Sequence, residues 1–226
     1  MSIPFVDGAV AVVYPFVVSL ATTLSPVGGA ATTIVLCAAA LRLLLLPLTV
    51  AAVRGERSRI ALAPRVADLR RRHGKDPARL GTELTQLYRD AGISPFAGLR
   101  PLLLQSPAFI VWYRIFTAPA VAGHPNVLLA YRFLGADLSA RLLSHPLAFL
   151  PLLVAIALLA LLAVRRGRRV AAATGVPAPG GMLALLPFLS LLSALVMPLA
   201  AVVYLVATLA WTAAENVLLR RGLPAR

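Results

Sequence analysis

The sequence predicts an all-α polytopic membrane protein with five transmembrane helices, a cytoplasmic antiparallel helical hairpin and an N-terminal interfacial helix. Three observations support this fold class. The chain of 226 residues is 60% hydrophobic and only 13% charged, which is typical of a membrane protein and not of a soluble domain. Its long apolar runs are separated by Arg-rich segments. One of these segments carries two successive amphipathic helical patterns, which predict the hairpin.

The first two elements are separated by a clear break. Residues 4–24 are apolar, lack a basic residue and contain Pro15, and a Pro/Gly-rich break follows at once. A helix lying in the outer interface is favoured there over a spanning helix. The apolar run from Gly29 to Val53 is long enough to cross a bilayer as one helix.

The hairpin follows the first transmembrane helix. Apolar side chains recur at helical spacing before residue 73 and again after residue 80. Asp76 before Pro77 is a favourable start for the second of these helices. Two amphipathic helices joined by a tight turn predict an antiparallel hairpin.

The remaining apolar runs complete the predicted order of segments. In chain order the prediction is an external N-terminal interfacial helix (1–28), transmembrane helix one (29–53), a cytoplasmic helical hairpin (54–98), transmembrane helix two (99–118), an external loop (119–145), transmembrane helix three (146–164), a cytoplasmic loop (165–181), transmembrane helix four (182–197), transmembrane helix five (198–219) and a short basic cytoplasmic tail (220–226).

The distribution of basic residues predicts the orientation. The segments 54–100, 165–169 and 220–226 are rich in Arg, whereas 119–144 contains only Arg132 and Arg141. By the positive-inside rule this places the N-terminus outside and the C-terminus in the cytoplasm of a multi-pass membrane protein. The net charge of +14 therefore indicates membrane topology and no direct nucleic-acid function.

Arg42 is the most informative residue, because it lies within the first predicted transmembrane helix. At about 1.5 Å per residue it is roughly 20 Å from one end of that helix and roughly 16 Å from the other. A guanidinium at that depth costs at least about 2.5–3.5 kcal/mol on insertion scales, so it needs water or a partner. Thr49, seven residues later, is expected on the same helical face.

Other polar residues lie on apolar helices. Gln105 is one to two turns inside the second transmembrane helix and could bond with Arg42. Thr208, Thr212 and Glu215 are spaced i, i+4, i+7 and form one polar stripe on the fifth. These residues either line a functional cavity or form interhelical hydrogen bonds that hold the bundle together.

No enzyme motif is present, and the protein is not expected to be an enzyme. The single cysteine, Cys37, cannot form an intrachain disulfide. His73, His124 and His145 have no Cys, Asp or Glu placed to complete a metal site or a catalytic triad. No cofactor or metal is therefore expected.

Two motifs resemble the YidC-type membrane insertase family, in its compact Gram-positive or actinobacterial form. That family has an Arg before a Leu-rich Pro motif, as in LRLLLLPLT (41–49). It also has the motif N-P-x-A-G-C-x-P-x-x-x-Q-x-P entering its second conserved span, similar to GISPFAGLRPLLLQSPAFIVWYRIF (92–116). The likeness continues through 133–139, 150–153 and 197–221, and so covers nearly the whole chain in order.

The resemblance implies a membrane protein insertase or chaperone of the bacterial cell (plasma) membrane. Its hydrophilic intramembrane groove would accept the polar tails of newly made membrane proteins and would be lined by Arg42, Thr49, Gln105, Thr208, Thr212 and Glu215. The partners implied are nascent membrane proteins, the ribosome, the Sec translocon, a targeting receptor and membrane lipids. The alternative is a small anion transporter or channel with Arg42 as its substrate site.

Overall fold

The computed structural model describes residues 4–74, 76–92, 110–121, 123–174 and 181–219. This part of the chain is predominantly helical, and three of its helical segments are long and apolar enough to cross a membrane: Val6–Thr23, Pro146–Ala172 and Leu199–Leu219. The all-α polytopic class is therefore confirmed, while the count of five transmembrane helices stays a prediction.

The elements follow one another in a simple order. The helices are α1 (Pro4–Thr23), α2 (Gly29–Leu44), α3 (Leu46–Ala61), α4 (Ala63–His73), α5 (Pro77–Asp90), α6 (described over residues 110–117), α7 (Pro146–Thr174), α8 (Leu189–Val196) and α9 (Leu199–Leu219). The strands form two short antiparallel pairs, β1 (Ala120–Val121) with β2 (His124–Pro125) and β3 (Arg132–Phe133) with β4 (Ala136–Asp137). Short 3₁₀ segments occur at Ser25–Val27, Val127–Ala130 and Gly181–Phe188.

The bundle has two unlike ends. At one end, the loop end, the folded segment 118–145 lies against the first residues of α2 and α9. Gly29 of α2 lies against the ring of Tyr131, and the backbone N–H of Leu199 donates to the carbonyl of Ala140 at 2.9 Å. Helices α2 and α9 therefore both begin at the loop end and run towards the opposite end, the hairpin end, which leads into α3, α4 and α5.

Burial is concentrated in the half of the bundle nearer the loop end. The last buried side chain of α2 is Ala38, that of α9 is Tyr204 and that of α7 is Ala160. Beyond these positions, every side chain described in the three helices is at least partly exposed. The centre of the packed half includes Phe116 and Phe149, which are 1% and 0% exposed. Among the residues that the structure describes, the buried side chains of these three helices thus lie in their loop-end halves.

The predicted first transmembrane helix is divided into two helices. Helix α2 ends at Leu44, and α3 runs from Leu46 across the predicted boundary at residue 53. Pro47 explains the break, because proline has no N–H for the carbonyl of Leu43 and its ring crowds that carbonyl. The prediction of one continuous helix over 29–53 therefore missed a helix end immediately after Arg42.

Helix α7 continues past the predicted end of the third transmembrane helix. The Arg-rich run 165–169 was expected to begin a cytoplasmic loop, yet the helix extends to Thr174. Arginine is a good helix former, and the helix ends before the next proline, Pro177. With 29 residues, α7 is about 43 Å long, which exceeds the ~30 Å thickness of a bilayer core.

Two antiparallel helices form the hairpin, as the amphipathic patterns predict. Helices α4 and α5 contact each other and are joined by a short connection. The expected helix start at Asp76 is confirmed, because its carboxylate accepts a hydrogen bond from the backbone N–H of Arg79 at 3.0 Å.

Helix α1 lies against the loop end along its length. Arg114 donates to the carboxylate of Asp7 at 2.8 Å, and the N–H of Val127 donates to the hydroxyl of Tyr14 at 3.0 Å. Ala21 lies near Gly29. This helix is long and apolar enough to span a membrane, and its interfacial position stays a prediction.

Candidate functional site

Arg42 lies in the last turn of α2, just beyond the packed half of the bundle. Its side chain is partly exposed, and it makes no hydrogen bond or ion pair with another residue of the described chain. Its charge lies close enough to the phenol of Tyr204 on α9 to interact with it electrostatically. The end of a helix carries partial negative charge, which lowers the cost of a cation there.

Glu215 does not neutralise Arg42. Its carboxylate instead accepts a hydrogen bond from Nε1 of Trp211, one turn earlier on α9, at 2.8 Å. The other carboxylate within the apolar bundle, that of Asp7, pairs with Arg114 at the loop end. A closed contact between Arg42 and a carboxylate is therefore not formed within the described residues.

The two threonines of α9 bond to their own helix. The hydroxyl of Thr208 donates to the carbonyl of Leu205 at 2.9 Å, and the hydroxyl of Thr212 donates to the carbonyl of Thr208 at 2.9 Å. Both side chains are partly exposed. The hydroxyl protons of both threonines are thus used within α9.

A continuous polar face on α9 starts beside Arg42. Tyr204, Thr208, Thr212 and Glu215 are spaced i, i+4, i+8, i+11, so they share one side of the helix, and we call them the α9 stripe. Tyr204 is the member that interacts with Arg42. The structure therefore relates Arg42 to the first residue of the α9 stripe, and the grouping of Arg42 with Thr208, Thr212 and Glu215 stays a prediction.

The structure does not group the other two predicted site residues, Thr49 and Gln105, with Arg42. Thr49 belongs to α3, beyond the break at Leu45, and its position on the same face as Arg42 stays a prediction. Its hydroxyl oxygen is 3.5 Å from the carbonyl oxygen of Leu45. Gln105 lies outside the described residues, and its contact with Arg42 stays a prediction.

Sequence reasoning missed two aromatic residues at this site. Tyr204 precedes Thr208 by four residues and Trp211 precedes Glu215 by four, the spacing at which side chains on a helix contact one another. Extending the stripe by one turn would have found Tyr204. The helix end beside Arg42 could also have been inferred, because a proline within a helical pattern usually ends the helix just before it.

The arrangement offers charge and hydrogen bonding. Arg42 supplies only donors, and the carboxylate of Glu215 supplies only acceptors. Among the residues that the structure describes, no three His, Cys, Asp or Glu side chains lie close enough to hold a metal ion.

Comparison with known proteins identifies the family. The family model described as 60Kd inner membrane protein matches residues 23–226. The chain is similar to the membrane protein insertase YidC of Alkalihalophilus pseudofirmus, with 30% identity over 154 residues, 64% of this chain and 57% of that protein. It is also similar to the YidC insertases of Clostridium perfringens (32% over 89 residues; 39% of this chain and 37% of that protein) and Chlorobium limicola (29% over 97 residues; 43% and 17%).

These matches cover 17–57% of the length of the three relatives. The apolar helices and the bacterial relatives together support a multi-pass bacterial membrane protein. Since the family model matches from residue 23 to the last residue, the chain belongs to the 60Kd inner membrane protein family, the YidC-type family that its motifs resemble.

Proposed function

We propose that this protein is a membrane protein insertase or chaperone that accepts the polar tails of newly made membrane proteins in a hydrophilic groove. The observation that carries the proposal is the coincidence of two features. Burial ends at Ala38 in α2 and at Tyr204 in α9, and the next polar side chains along these helices, Arg42 and Thr208, are both partly exposed.

A groove open at the hairpin end explains the environment of Arg42. A cation in an apolar helix needs water or a polar partner, and this guanidinium has no bonded partner among the described residues. Water entering from the hairpin end would solvate it. A polar tail that enters the same groove then crosses a thinner apolar layer, which lowers the cost of its transfer.

The loop end would close the groove on the opposite side. Asn126 is buried, and its amide donates to the carbonyls of Ile115 and Ala118 at 2.7 and 3.0 Å, at the end of α6. The N–H groups of Leu199 and Ala200 donate to carbonyls of the loop segment. The backbone groups at the end of α6 and at the start of α9 are therefore hydrogen-bonded to the loop segment, which would leave no polar opening for a client on this side.

Partners follow from the same arrangement. Clients would be nascent membrane proteins whose apolar helices leave the groove for the lipid, a step favoured by burial of apolar surface. The hairpin would guide clients or contact the ribosome, the Sec translocon or a targeting receptor. The last turn of α4 is strongly basic and would equally suit anionic lipid headgroups: Arg70, Arg71, Arg72 and His73. The proposed orientation has the N-terminus outside and the hairpin in the cytoplasm.

The direct test replaces the groove cation. Purified protein in liposomes is given a single-span client with an acidic translocated tail, and insertion is scored by protection of the tail from protease. We expect Arg42→Ala to reduce insertion about tenfold, because a charge-assisted contact is lost, and Arg42→Lys to retain most of it.

Arg141→Ala is the matched control, since Arg141 is exposed at the loop end. Full insertion by Arg42→Ala would remove Arg42 from the mechanism. The unpaired cation also fits a small anion transporter, and anion flux measured in the same liposomes without a client separates the two functions. Flux that depends on Arg42, in the absence of client insertion, would assign transport.

A further inference from the structure

We propose that the α9 stripe binds cationic hydrogen-bond donors of the client, so that the groove recognises a tail by an acidic and a basic residue at a fixed spacing. This inference rests on the proposed function and adds the chemistry of the preferred client. Arg42 would hold the acidic group, and Glu215 with the two threonines would hold the basic one.

The first support is the direction of the hydrogen bonds on α9. The hydroxyl protons of Thr208 and Thr212 are used by carbonyls of their own helix. Each oxygen keeps lone pairs and can therefore only accept a further hydrogen bond. The side of α9 that faces a client thus offers acceptors, which are complementary to ammonium, guanidinium and peptide N–H groups.

The second support is the state of Glu215. Among the described residues of α2 and of α6 to α9 it is the only acidic side chain. One carboxylate oxygen accepts from Trp211, and the other has no hydrogen bond or ion pair within the described chain. Trp211 fixes the carboxylate in position and leaves its second oxygen available for a cation.

The third support is the length of the α9 stripe. Glu215 follows Tyr204 by 11 residues, which is about 16 Å along a helix axis, and α9 packs against α2, which carries Arg42. An extended peptide covers about 16 Å in roughly five residues. A tail whose acidic residue enters first, with a basic residue about five positions behind it on the hairpin side, would therefore meet both charges at once.

The experiment compares clients that differ only in the tail. Purified full-length protein in liposomes is given four versions of one single-span client: a neutral tail, an acidic residue alone, a lysine alone, and an acidic residue with a lysine five positions behind it. Glu215→Gln keeps the size of the side chain and an acceptor for Trp211 but removes the charge. Glu83→Gln on α5 is the matched control, because it removes a carboxylate outside the stripe.

We expect Glu215→Gln to lower insertion of the two lysine-bearing clients roughly fivefold to tenfold, and to leave the neutral and acidic-only clients unchanged. The double variant Thr208→Val with Thr212→Val should lower the same two clients by a smaller factor. Equal loss for all four clients would mean that the stripe only supports the fold. No loss for any client would equally overturn the inference.

The four clients of this comparison carry acetylated N-termini, so that lysine is their only cationic donor, and repeating it with free N-termini tests the terminal ammonium as a second source. Loss on acetylation in the wild-type protein, but not in Glu215→Gln, would support binding of the terminal ammonium by the same stripe. Failure of the proposed function gives a different result, because the wild-type protein would then insert none of the four clients better than empty liposomes do.

Discussion

The two halves of the bundle differ in what satisfies their polar groups. At the loop end, backbone groups are bonded to other backbone groups, to the buried amide of Asn126 or to the hydroxyl of Tyr14, and most buried side chains between the helices are apolar. Towards the hairpin end, Arg42 and the second oxygen of Glu215 have no bonded partner among the described residues. Stability is therefore expected to depend on the loop end, and the proposed function on the hairpin end.

The largest effect should follow from opening the packed half. Phe116→Ala removes a ring that is 1% exposed and stacks on Trp112 at 5.7 Å between centroids. We expect a loss of about 3 kcal/mol in the free energy of unfolding, measured by SDS titration in mixed micelles, because the cavity left behind cannot collapse fully. Phe16→Ala, at a ring that is 67% exposed, is the matched control and should change little. An equal loss of unfolding free energy in both variants would show that buried and exposed rings contribute alike, against the proposed difference between the two halves.

A smaller effect is expected from the buried amide. Asn126→Ala removes two donors and the acceptor for the N–H of Leu128, and leaves buried backbone groups without partners. The expected loss is about 2 kcal/mol, seen in the same titration and as faster proteolysis of segment 119–145. Asn216→Ala, near the hairpin end of α9, should cost much less, since that side chain is only partly buried. A larger loss of unfolding free energy for Asn216→Ala than for Asn126→Ala would mean that stability depends on the hairpin end and not on the loop end.

The smallest effect should have the opposite sign. Arg42→Leu replaces a partly buried cation by an apolar side chain, and we expect the free energy of unfolding to rise by about 1 kcal/mol or less. Client insertion by the same variant should fall. A clear fall in the free energy of unfolding would show that Arg42 stabilises the bundle, and stability would then not depend on the loop end alone.

The sequence predicts local features well and long-range ones poorly. Helix α9 (Leu199–Leu219) lies within one residue of its predicted bounds, and the Asp76 cap is confirmed, because both depend on neighbouring residues. The internal fold of the external loop was not predicted, since it depends on bonds to Tyr14 and to the start of α9, which are far from the loop in sequence. At the site, the stripe on α9 follows from helical spacing, whereas its position beside Arg42 depends on the packing of α2 against α9.

A loop end that is sealed in the proposed way would also determine where a transmembrane voltage acts. If water fills the hairpin-end half, that half shares the electrical potential of the adjoining solution, and the whole voltage falls across the packed half. The total work for one elementary charge is unchanged, about 2.3 kcal/mol per 100 mV, but the local field is roughly doubled. If the hairpin end is on the negative side of the membrane, an acidic residue bound at Arg42 would experience this stronger field. The field would drive it outward across the packed half, from Arg42 to the loop end.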